Sequence, residues 1–450
     1  MDSWGPIQRN QTRREFLAAA TIGGIYPFVH PLFERTDTSE VDAWVSHGAT
    51  SSQTNTNPAS PPISESPTTK WTYTATRSVS APIVANDTVY VTAEDNHLYA
   101  VDAETGRERW NSHFEAGIGG VPAYDDGGLF VCGYNDAVYR LAPDTGEVIW
   151  KSPLDSPATV YGAGYSPPSP VVTSGLVFVP TETELYALEA DSGDRQWTRQ
   201  LSSSEKGVLT YPAVANGRVL IGEWTGAISI EAENRGVRAY DAATGEHLWS
   251  NSPETRADGI ARLQDTPAAA ADAVYVTSEA GDIHRLDATT GEFVWTHSLD
   301  TDWLTSGLTV TDSVGCLHTD RRILALSLET GDVAWRRAID QPMSSLRPAA
   351  DGGQIYTTVG ESVRALDLAS GAQQWSHPVS FGPYTAVAGR TVYVAGNNSI
   401  TAIEAKDKNG VQGRQTGTRA HESLVSIGAG LSIVLSNLYA IWRYRRSAEN

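Results

Sequence analysis

Six residues combine aromatic faces with a few polar head groups: Tyr165, Tyr211, Asp265, Trp303, Arg347 and Tyr384. They lie close to the positions where successive short apolar runs begin. If those runs bring them to the mouth of one channel, such rings and polar groups can hold a flat or sugar-like ligand. For any one of them taken singly, an ordinary place in a loop or on a channel wall is the simpler interpretation. The set predicts binding, and we assign no catalytic residue.

The motifs that indicate common catalytic or metal chemistry are missing from the sequence. No His/Cys cluster has metal-ligand spacing, no glycine-rich phosphate loop follows an apolar run, and no Gly-x-Ser-x-Gly elbow is present. The sequence therefore predicts no metal site. What the six residues can do depends on the architecture that positions them.

A tryptophan recurs along most of the chain at intervals between 39 and 52 residues. It usually closes the phrase Asp-x-x-Thr/Ser-Gly-x-x-x-Trp, as from Asp102 to Trp110 and from Asp367 to Trp375. A period of about 40 to 50 residues indicates repeated units in a ring or a linear array. We predict that the indoles pack between neighbouring units rather than contact a ligand. The eight tryptophans are Trp71, Trp110, Trp150, Trp197, Trp249, Trp295, Trp335 and Trp375.

Each unit contains short runs rich in Val, Ile, Tyr and Phe, such as residues 88–91 and 391–394. Runs of this length, bounded by Gly, Asp and Pro, are typical of strands. About four short strands in each unit is the composition of a β-propeller blade. In the phrase, we expect the carboxylate to accept backbone N–H groups and the glycine to adopt a positive φ within a tight turn.

The ends of the repeat region decide how many blades there are. Residues 384–405 supply further strands but no closing tryptophan, whereas residues 70–73 resemble a last strand without a blade before it. Joining the two fragments completes eight units and removes both free sheet edges. The sequence therefore predicts an all-β, eight-bladed propeller closed by its N-terminal strand. Seven blades is the alternative, if the region around Tyr384 is irregular.

The extended phrase Ala-x-Asp-x-x-Thr-Gly-x-x-x-Trp, carried nearly intact by residues 100–110, 239–249 and 365–375, resembles the pyrroloquinoline-quinone (PQQ)-type repeat. In that family the tryptophan docking motif ties adjacent propeller blades, and the likeness covers residues 70–405. Copies depart from the pattern at Arg140 and Arg285 in place of the opening Ala. The segment that starts at Trp44 is similar to the lead-in found before the first blade in many secreted members.

The resemblance is specific for fold and implies two classes of activity. One comprises quinoprotein dehydrogenases, in which adjacent cysteines cover the quinone and a Glu/Asn set holds calcium beside an Asp base. The other comprises non-catalytic propellers such as the bacterial outer-membrane-assembly lipoprotein. Here the cysteines, Cys132 and Cys316, fall in the second and sixth units. In an eight-fold ring these two units lie on opposite sides, which excludes a disulfide between the cysteines. Because no adjacent cysteine pair is then present, we favour the non-catalytic class and expect no cofactor. PQQ with Ca²⁺ is the cofactor only under the alternative.

The net charge of the chain indicates which partners it can bind and from what kind of organism it comes. The chain has 53 acidic and 33 basic residues, a formal net charge of −20, and few lysines among its basic residues. This balance favours a haloarchaeal origin, with an ordinary acidic secreted protein as the other interpretation. Nucleic acid is excluded as a partner because its phosphates would be repelled.

Both termini carry membrane-related signals. Arg13 and Arg14, followed by Glu-Phe-Leu and an apolar stretch, predict that residues 1–29 are a twin-arginine export signal. Residues 424–442 contain 19 uncharged residues, enough for a transmembrane helix, and residues 443–450 form a basic tail. Basic residues prefer the cytoplasmic side, so we expect a single-pass protein with the propeller outside. A helix packed on the propeller is the competing interpretation of 424–442.

Two polar segments complete the division of the chain. Residues 30–69, apart from the lead-in, and residues 406–423 have compositions that favour disordered linkers. Altogether the sequence predicts an exported, membrane-anchored propeller that acts as a binding or assembly scaffold on the outer face of the cell membrane. Its partner would be an extracytoplasmic protein or a glycan. A PQQ-dependent dehydrogenase is the alternative, and a carbohydrate-binding surface module is the third possibility.

Overall fold

The computed structural model of the protein describes residues 43–63, 66–156, 167–201, 207–225, 236–251, 263, 265–270, 272–278, 281–299, 304, 306–319, 321–341 and 347–405. The regular elements in this part of the chain are all strands. No helix within these ranges is long and apolar enough to cross a membrane. The predicted export signal and the predicted transmembrane segment 424–442 lie outside the described residues.

The strands fall into eight antiparallel sheets, which are the blades of one propeller. Strand β1 (Thr68–Thr74) precedes blade one. Blades one to four contain, in order, β2 (Ile83–Ala85), β3 (Thr88–Thr92), β4 (His97–Asp102) and β5 (Glu108–His113); β6 (Ile118–Asp125), β7 (Gly128–Gly133), β8 (Ala137–Leu141) and β9 (Val148–Pro153); β10 (Val171–Thr173), β11 (Leu176–Pro180), β12 (Glu184–Glu189) and β13 (Arg195–Gln200); and β14 (Gly207–Leu209), β15 (Ala213–Ala215), β16 (Arg218–Thr225), β17 (Gly236–Asp241) and β18 (His247–Asn251).

The remaining blades repeat the same order. Blades five to eight contain β19 (Ala268–Ala269), β20 (Ala273–Thr277), β21 (Asp282–Asp287) and β22 (Phe293–Ser298); β23 (Thr309–Val310), β24 (Val314–His318), β25 (Arg322–Ser327) and β26 (Val333–Ala338); β27 (Ala349–Ala350), β28 (Gln354–Val359), β29 (Ser362–Asp367) and β30 (Gln373–Pro378); and β31 (Tyr384–Ala388), β32 (Thr391–Gly396) and β33 (Ser399–Glu404). First strands of neighbouring blades contact each other and line the channel, whereas fourth strands lie at the rim and are largely exposed.

Ring closure follows the predicted route. Strand β1 pairs antiparallel with β33 and becomes the fourth strand of blade eight, with Trp71 opposite Ala402. Lys70 forms ion pairs with Glu404 across this closure and with Glu104 of blade one. The eight-bladed prediction is confirmed, and the seven-bladed alternative is wrong because Tyr384 begins a regular strand.

The tryptophans connect each blade to the next. Trp71 of blade eight donates its indole N–H to Ala103 O in the phrase turn of blade one, at 2.9 Å. The same bond recurs around the ring at 2.8 to 3.2 Å, from Trp110 to Pro143, Trp150 to Ala190, Trp197 to Ala242, Trp249 to Ala288, Trp295 to Leu328 and Trp335 to Leu368. These indoles are therefore held as inter-blade packing, with their polar N–H satisfied.

The phrase turns have the geometry that their residues require. Asp102 Oδ1 accepts hydrogen bonds from the backbone N–H and the hydroxyl of Thr105, both at 2.7 Å, and Gly106 has a φ of 68°. Burial acts to raise the pKa of Asp102, but the hydrogen bonds from Thr105 and Arg109 outweigh it and lower the pKa to about 2. The phrase thus combines a carboxylate-stabilised turn with a glycine against which the indole packs.

We predict that replacing a phrase glycine with alanine destabilises the ring by more than the strain of a positive φ would alone, because the new Cβ atom also meets the indole. Gly291 has a φ of 74°, and a Cβ atom there would lie 2.4 Å from the Trp249 ring. Gly127 has a φ of 77° with nothing within 4 Å of a Cβ. Gly291→Ala should lower the free energy of unfolding by about 3 kcal/mol and Gly127→Ala by about 1 kcal/mol, as measured by urea denaturation. Equal losses would show that the indole contact is not tight.

The turns of the blades form two opposite faces of the ring. The phrase face carries the turns between third and fourth strands, such as residues 103–107, together with the turns between first and second strands. The mouth face carries the turns between second and third strands, such as Asn397–Asn398, and the chain that leads into each first strand.

Candidate functional site

The channel of the propeller is occupied by the chain's own residues 44–57, which we call the channel segment. Trp44 pairs with Val84 of blade one through two backbone hydrogen bonds of 2.7 Å. The segment then accepts backbone N–H groups from the first strands of blade two and of blades four to seven. These bonds join Tyr124 to Val45 (2.9 Å), Val214 to Ser51 (2.7 Å), Ala269 to Ser52 (2.9 Å), Val310 to Thr54 (2.8 Å) and Ala350 to Asn55 (3.1 Å).

The prediction of a disordered linker is wrong for this part of residues 30–69. Gln53 and Asn57 are buried, and Asn57 Nδ2 donates to Val387 O of blade eight at 3.2 Å. First strands present an unpaired backbone edge to the channel, and buried N–H groups need acceptors. A polar segment can supply these acceptors through its carbonyl groups. Main-chain pairing therefore orders the segment, although it lacks the apolar side chains from which order is usually predicted. Ala49, Gln53 and Asn55 adopt positive φ values between 59° and 74° to follow the ring.

The next residues of the N-terminal region complete the eighth docking contact. The sequence after Glu404 contains no further copy of the tryptophan phrase, which in the other blades supplies the acceptor for the indole of the preceding blade. Instead Trp375 donates to Ile63 O at 2.6 Å. Ile63 is itself buried, and its N–H points to the hydroxyl of Tyr356 at 3.3 Å. The segment before β1 therefore substitutes for a missing turn.

Four of the six predicted residues lie in one group with two residues of the channel segment. This channel cluster comprises His47, Gln53, Tyr211, Asp265, Arg347 and Tyr384. Tyr165 and Trp303 lie outside the described residues. The sequence did not single out His47 or Gln53; the signal available for them was only the lead-in segment that begins at Trp44.

Arg347 is the centre of the cluster. Its guanidinium is buried and donates from Nη1 to Gln53 O and from Nη2 to Thr266 O, both at 3.0 Å. Its Nε lies 3.3 Å from Oδ2 of Asp265. The side chain therefore reaches from blade seven to blade five and to the channel segment. It passes Gly307 of blade six, where a Cβ atom would come within 2.4 Å of both Arg347 Nη2 and Asp265 Oδ2.

Rings form the other side of the cluster. The rings of His47 and Tyr211 contact each other in a tilted arrangement, with their centroids 4.8 Å apart and an interplanar angle of 52°. Burial lowers the pKa of His47 to about 4; the Asp265 carboxylate opposes this effect and Arg347 reinforces it. Burial also raises the pKa of Tyr211 to about 12, with a further contribution from the phenol of Tyr384. At neutral pH the cluster therefore holds a neutral imidazole and neutral phenols beside one closed ion pair.

The described residues do not fit the quinone cofactor of the dehydrogenase class. Cys132 on β7 and Cys316 on β24 are both fully buried free thiols in blades two and six, so they cannot form an adjacent pair over a cofactor. Asp265 is already paired with Arg347, and the channel segment lies between the first strands that line the channel. Within the described ranges, no three His, Cys, Asp or Glu side chains are arranged to hold a metal ion.

Comparison with known proteins agrees with the tryptophan pattern. The family model described as "Outer membrane protein assembly factor BamB" matches residues 64–117, 98–232 and 233–423. A relative with that name from Burkholderia pseudomallei is 30% identical over 190 residues, which cover 41% of this chain and 44% of the relative. The aligned part thus spans less than half of that protein's length.

Solved structures show the same fold at low identity. The quinohemoprotein alcohol dehydrogenase of Comamonas testosteroni superposes with a TM-score of 0.65 at 14% identity, covering 86% of this chain and 84% of the other. BamB from Moraxella catarrhalis superposes with a TM-score of 0.59 at 18% identity, covering 78% and 100%. Both functional classes share the fold, so these likenesses do not choose between them. The family model does identify the lineage: the chain belongs to the PQQ-type repeat family described as outer membrane protein assembly factor BamB.

Proposed function

We propose that this protein is a non-catalytic binding or assembly scaffold at the outer face of the cell membrane. In this proposal the chain is exported by the twin-arginine route through Arg13 and Arg14 and is anchored by residues 424–442. The propeller lies outside, and the basic tail lies in the cytoplasm. The high negative charge favours a haloarchaeal source. The partner is an extracytoplasmic protein.

One observation carries the proposal: the channel is filled by the chain's own residues 44–57, which bind the first strands through the main chain. A propeller that binds a small molecule does so most readily in its channel, where several blades can contribute contacts. Here those backbone edges are used internally, and the ion pair of Asp265 and Arg347 is closed. Recognition is then left to the turns on the two outer faces, because loops held by a rigid scaffold commonly carry binding residues. The relatives named as assembly factors support the same conclusion.

Cofactor addition tests the proposal against the dehydrogenase alternative. Purified full-length protein is incubated with PQQ and Ca²⁺, and quinone absorbance and alcohol-dependent dye reduction are recorded. We expect neither bound quinone nor turnover, because the channel segment and the separated cysteines leave no matching site. Quinone-dependent turnover would overturn the scaffold proposal.

Crosslinking in native membranes tests the partner directly. We expect the full-length chain to crosslink to a defined protein in constant stoichiometry. This protein should no longer be recovered when the propeller is denatured before it is mixed with the membranes. A glycan array provides the comparison with the carbohydrate-binding possibility. Selective glycan binding without any protein crosslink would contradict a protein scaffold.

A further inference from the structure

Two histidines face each other at the rim of blade one, where it meets the mouth face. His97 is the first residue of β4 and His113 is the last residue of β5, and the antiparallel pairing places them directly opposite each other. Side chains at such positions meet because their Cβ atoms lie about 4.5–5.5 Å apart. Here the two ring centroids are 4.8 Å apart, with an interplanar angle of 50°. Solvent reaches both rings, since the side chain of His97 is 27% exposed and His113 is exposed.

The contact between His97 and Asp95 determines which imidazole nitrogen is free. Nδ1 of His97 lies 2.9 Å from the carbonyl oxygen of Asp95. A carbonyl oxygen only accepts, so Nδ1 carries the proton and donates it. In the neutral ring, Nε2 is then left with its lone pair. Histidines that bind metal ions commonly donate their other nitrogen in this way, to a backbone carbonyl group or a carboxylate.

The ring of His97 is also held in place on its other sides. Oδ1 of Asp95 lies 3.3 Å from Nδ1 of His97. Oδ2 of the same carboxylate accepts hydrogen bonds from the hydroxyl groups of Thr76, at 2.5 Å, and Tyr99, at 2.7 Å. The ring of Tyr99 stacks on that of His97, with centroids 5.6 Å apart and an interplanar angle of 27°. The imidazole is therefore oriented before a ligand arrives, which reduces the entropy that binding costs.

The separation of the rings matches that of two imidazoles on one metal ion. Metal–nitrogen bonds of about 2.0–2.1 Å place two ring centroids about 4.5–5.2 Å apart when the angle at the metal is about 90–109°. The observed 4.8 Å lies within this range. Imidazole nitrogen suits Zn²⁺, Cu²⁺ and Ni²⁺, whereas Ca²⁺ and Mg²⁺ prefer oxygen ligands. Exposed carboxylates of Glu94 and Glu115 in the adjoining turns attract cations to this end of the blade.

We propose that His97 and His113 bind one divalent transition-metal ion of the Zn²⁺, Cu²⁺ or Ni²⁺ class at the rim of blade one. Nε2 of His97 supplies one ligand, and the imidazole of His113 supplies the second. Within the described ranges no three His, Cys, Asp or Glu side chains surround a metal position, so the other coordination positions are open to water or to a ligand from another molecule. The ion joins the last two strands of the blade. The site lies at the rim rather than in the channel, and it is independent of membrane attachment.

Metal titration of matched variants tests the site. The full-length protein, purified without a polyhistidine tag, is titrated with Zn²⁺ in competition with a chromophoric chelator. His97→Gln and His113→Gln should each lower the Zn²⁺ affinity at least ten-fold, because each removes one of two protein ligands. His297→Gln is the matched control, since His297 lies on the fourth strand of blade five with Ile283 opposite it, and it should keep the parent affinity. Ca²⁺ at the same concentration should not displace Zn²⁺.

Two further measurements separate a metal site from a simple ring contact. The electron paramagnetic resonance spectrum of bound Cu²⁺ should show two imidazole nitrogens in the parent protein and one in each variant of the pair. Zn²⁺ should raise the urea midpoint of the parent and of His297→Gln but not of the two variants, because an ion that binds only the folded pair stabilises the fold. The urea transitions also establish that the variants are folded.

Three outcomes would overturn the metal site. The first is a Zn²⁺ affinity that stays unchanged in both His97→Gln and His113→Gln. The second is equal displacement of Zn²⁺ by Ca²⁺, which would indicate carboxylate ligands instead of imidazoles. The third is an equal loss of affinity in His297→Gln, which would show that the effect is not specific to the facing pair. None of these results bears on the scaffold proposal, which the cofactor and crosslinking experiments test.

Discussion

Replacing Arg347 with methionine is expected to lower the free energy of unfolding by about 3–5 kcal/mol. The guanidinium is buried, holds the carbonyl groups of Gln53 and Thr266 and pairs with Asp265. Methionine fills similar space but leaves a carboxylate without its counter-charge and two carbonyl oxygens without donors. The substitution therefore removes the contact that joins blades five and seven to the channel segment. Urea denaturation of the purified protein measures the loss.

A double-mutant cycle distinguishes this contact from general loss of packing. Asp265→Asn removes the charge that Arg347→Met leaves unpaired, so the double variant should recover about 1–3 kcal/mol relative to the sum of the single losses. Arg364→Met is the matched control, because Arg364 pairs with the exposed carboxylate of Asp340 and such pairs contribute about 0–1 kcal/mol. Additive losses at Arg347 and Asp265, or equal losses at Arg347 and Arg364, would contradict a central role for Arg347.

The fold could be predicted because its signal is local and repeated. Each tryptophan phrase specifies a turn through one carboxylate and one glycine, and its spacing gives the blade length. The unpaired strand around Trp71 and the incomplete unit after Tyr384 gave the closure as well, since neither fragment is a whole blade alone. These features need no knowledge of distant contacts, and the pairing of β1 with β33 confirms them.

The channel segment could not be predicted, because it is ordered by edges that exist only once the ring has formed. Ser51, Ser52 and Thr54 offer main-chain carbonyl groups to strands that lie far away in sequence. Composition rules ask for apolar burial and therefore favour disorder for such residues. Here main-chain hydrogen bonds in a closed channel replace that burial.

The candidate site was predicted in part for a related reason. Tyr211 and Arg347 directly precede a proline at the start of a first strand, and Asp265 lies two residues before one, so their similar places in the repeat identified them. Gly307 occupies the corresponding place in blade six, but it matters because its lack of a side chain leaves room for the Arg347 guanidinium. Only the structure shows that Arg347 crosses that position.

Acidification from pH 7 to pH 5 is expected to destabilise the protein by about 3–4 kcal/mol. Burial lowers the pKa of His318 to about 3, and burial with the opposing effect of Asp265 lowers that of His47 to about 4. Both histidines stay neutral in the folded chain, whereas the unfolded chain takes up protons below pH 6.5. Each proton taken up only on unfolding costs about 1.4 kcal/mol of stability for every pH unit. Urea denaturation at successive pH values measures the slope.

One described carboxyl group acts in the opposite direction. Burial raises the pKa of Asp351, so the folded protein takes up a proton there before the unfolded chain does and gains stability as the pH falls. This gain begins only as the pH approaches the raised pKa. The lowered pKa values of Asp287 and Asp367 contribute at still lower pH, where protonation would remove the hydrogen bonds that hold those turns. As the pH falls, the buried imidazoles therefore lower the stability, and Asp351 opposes them.

Single histidine replacements assign the slope to its sources. His318→Gln and His47→Gln should each reduce the pH dependence by about one proton between pH 6.5 and 5, even where the replacement itself lowers stability. Arg364→Met introduces no group that titrates in this range and should keep the original slope. If the two histidine variants retained it too, the acid response would have to come from other groups. A reduced slope in His47→Gln alone would instead assign it to the channel segment, whose only imidazole is His47.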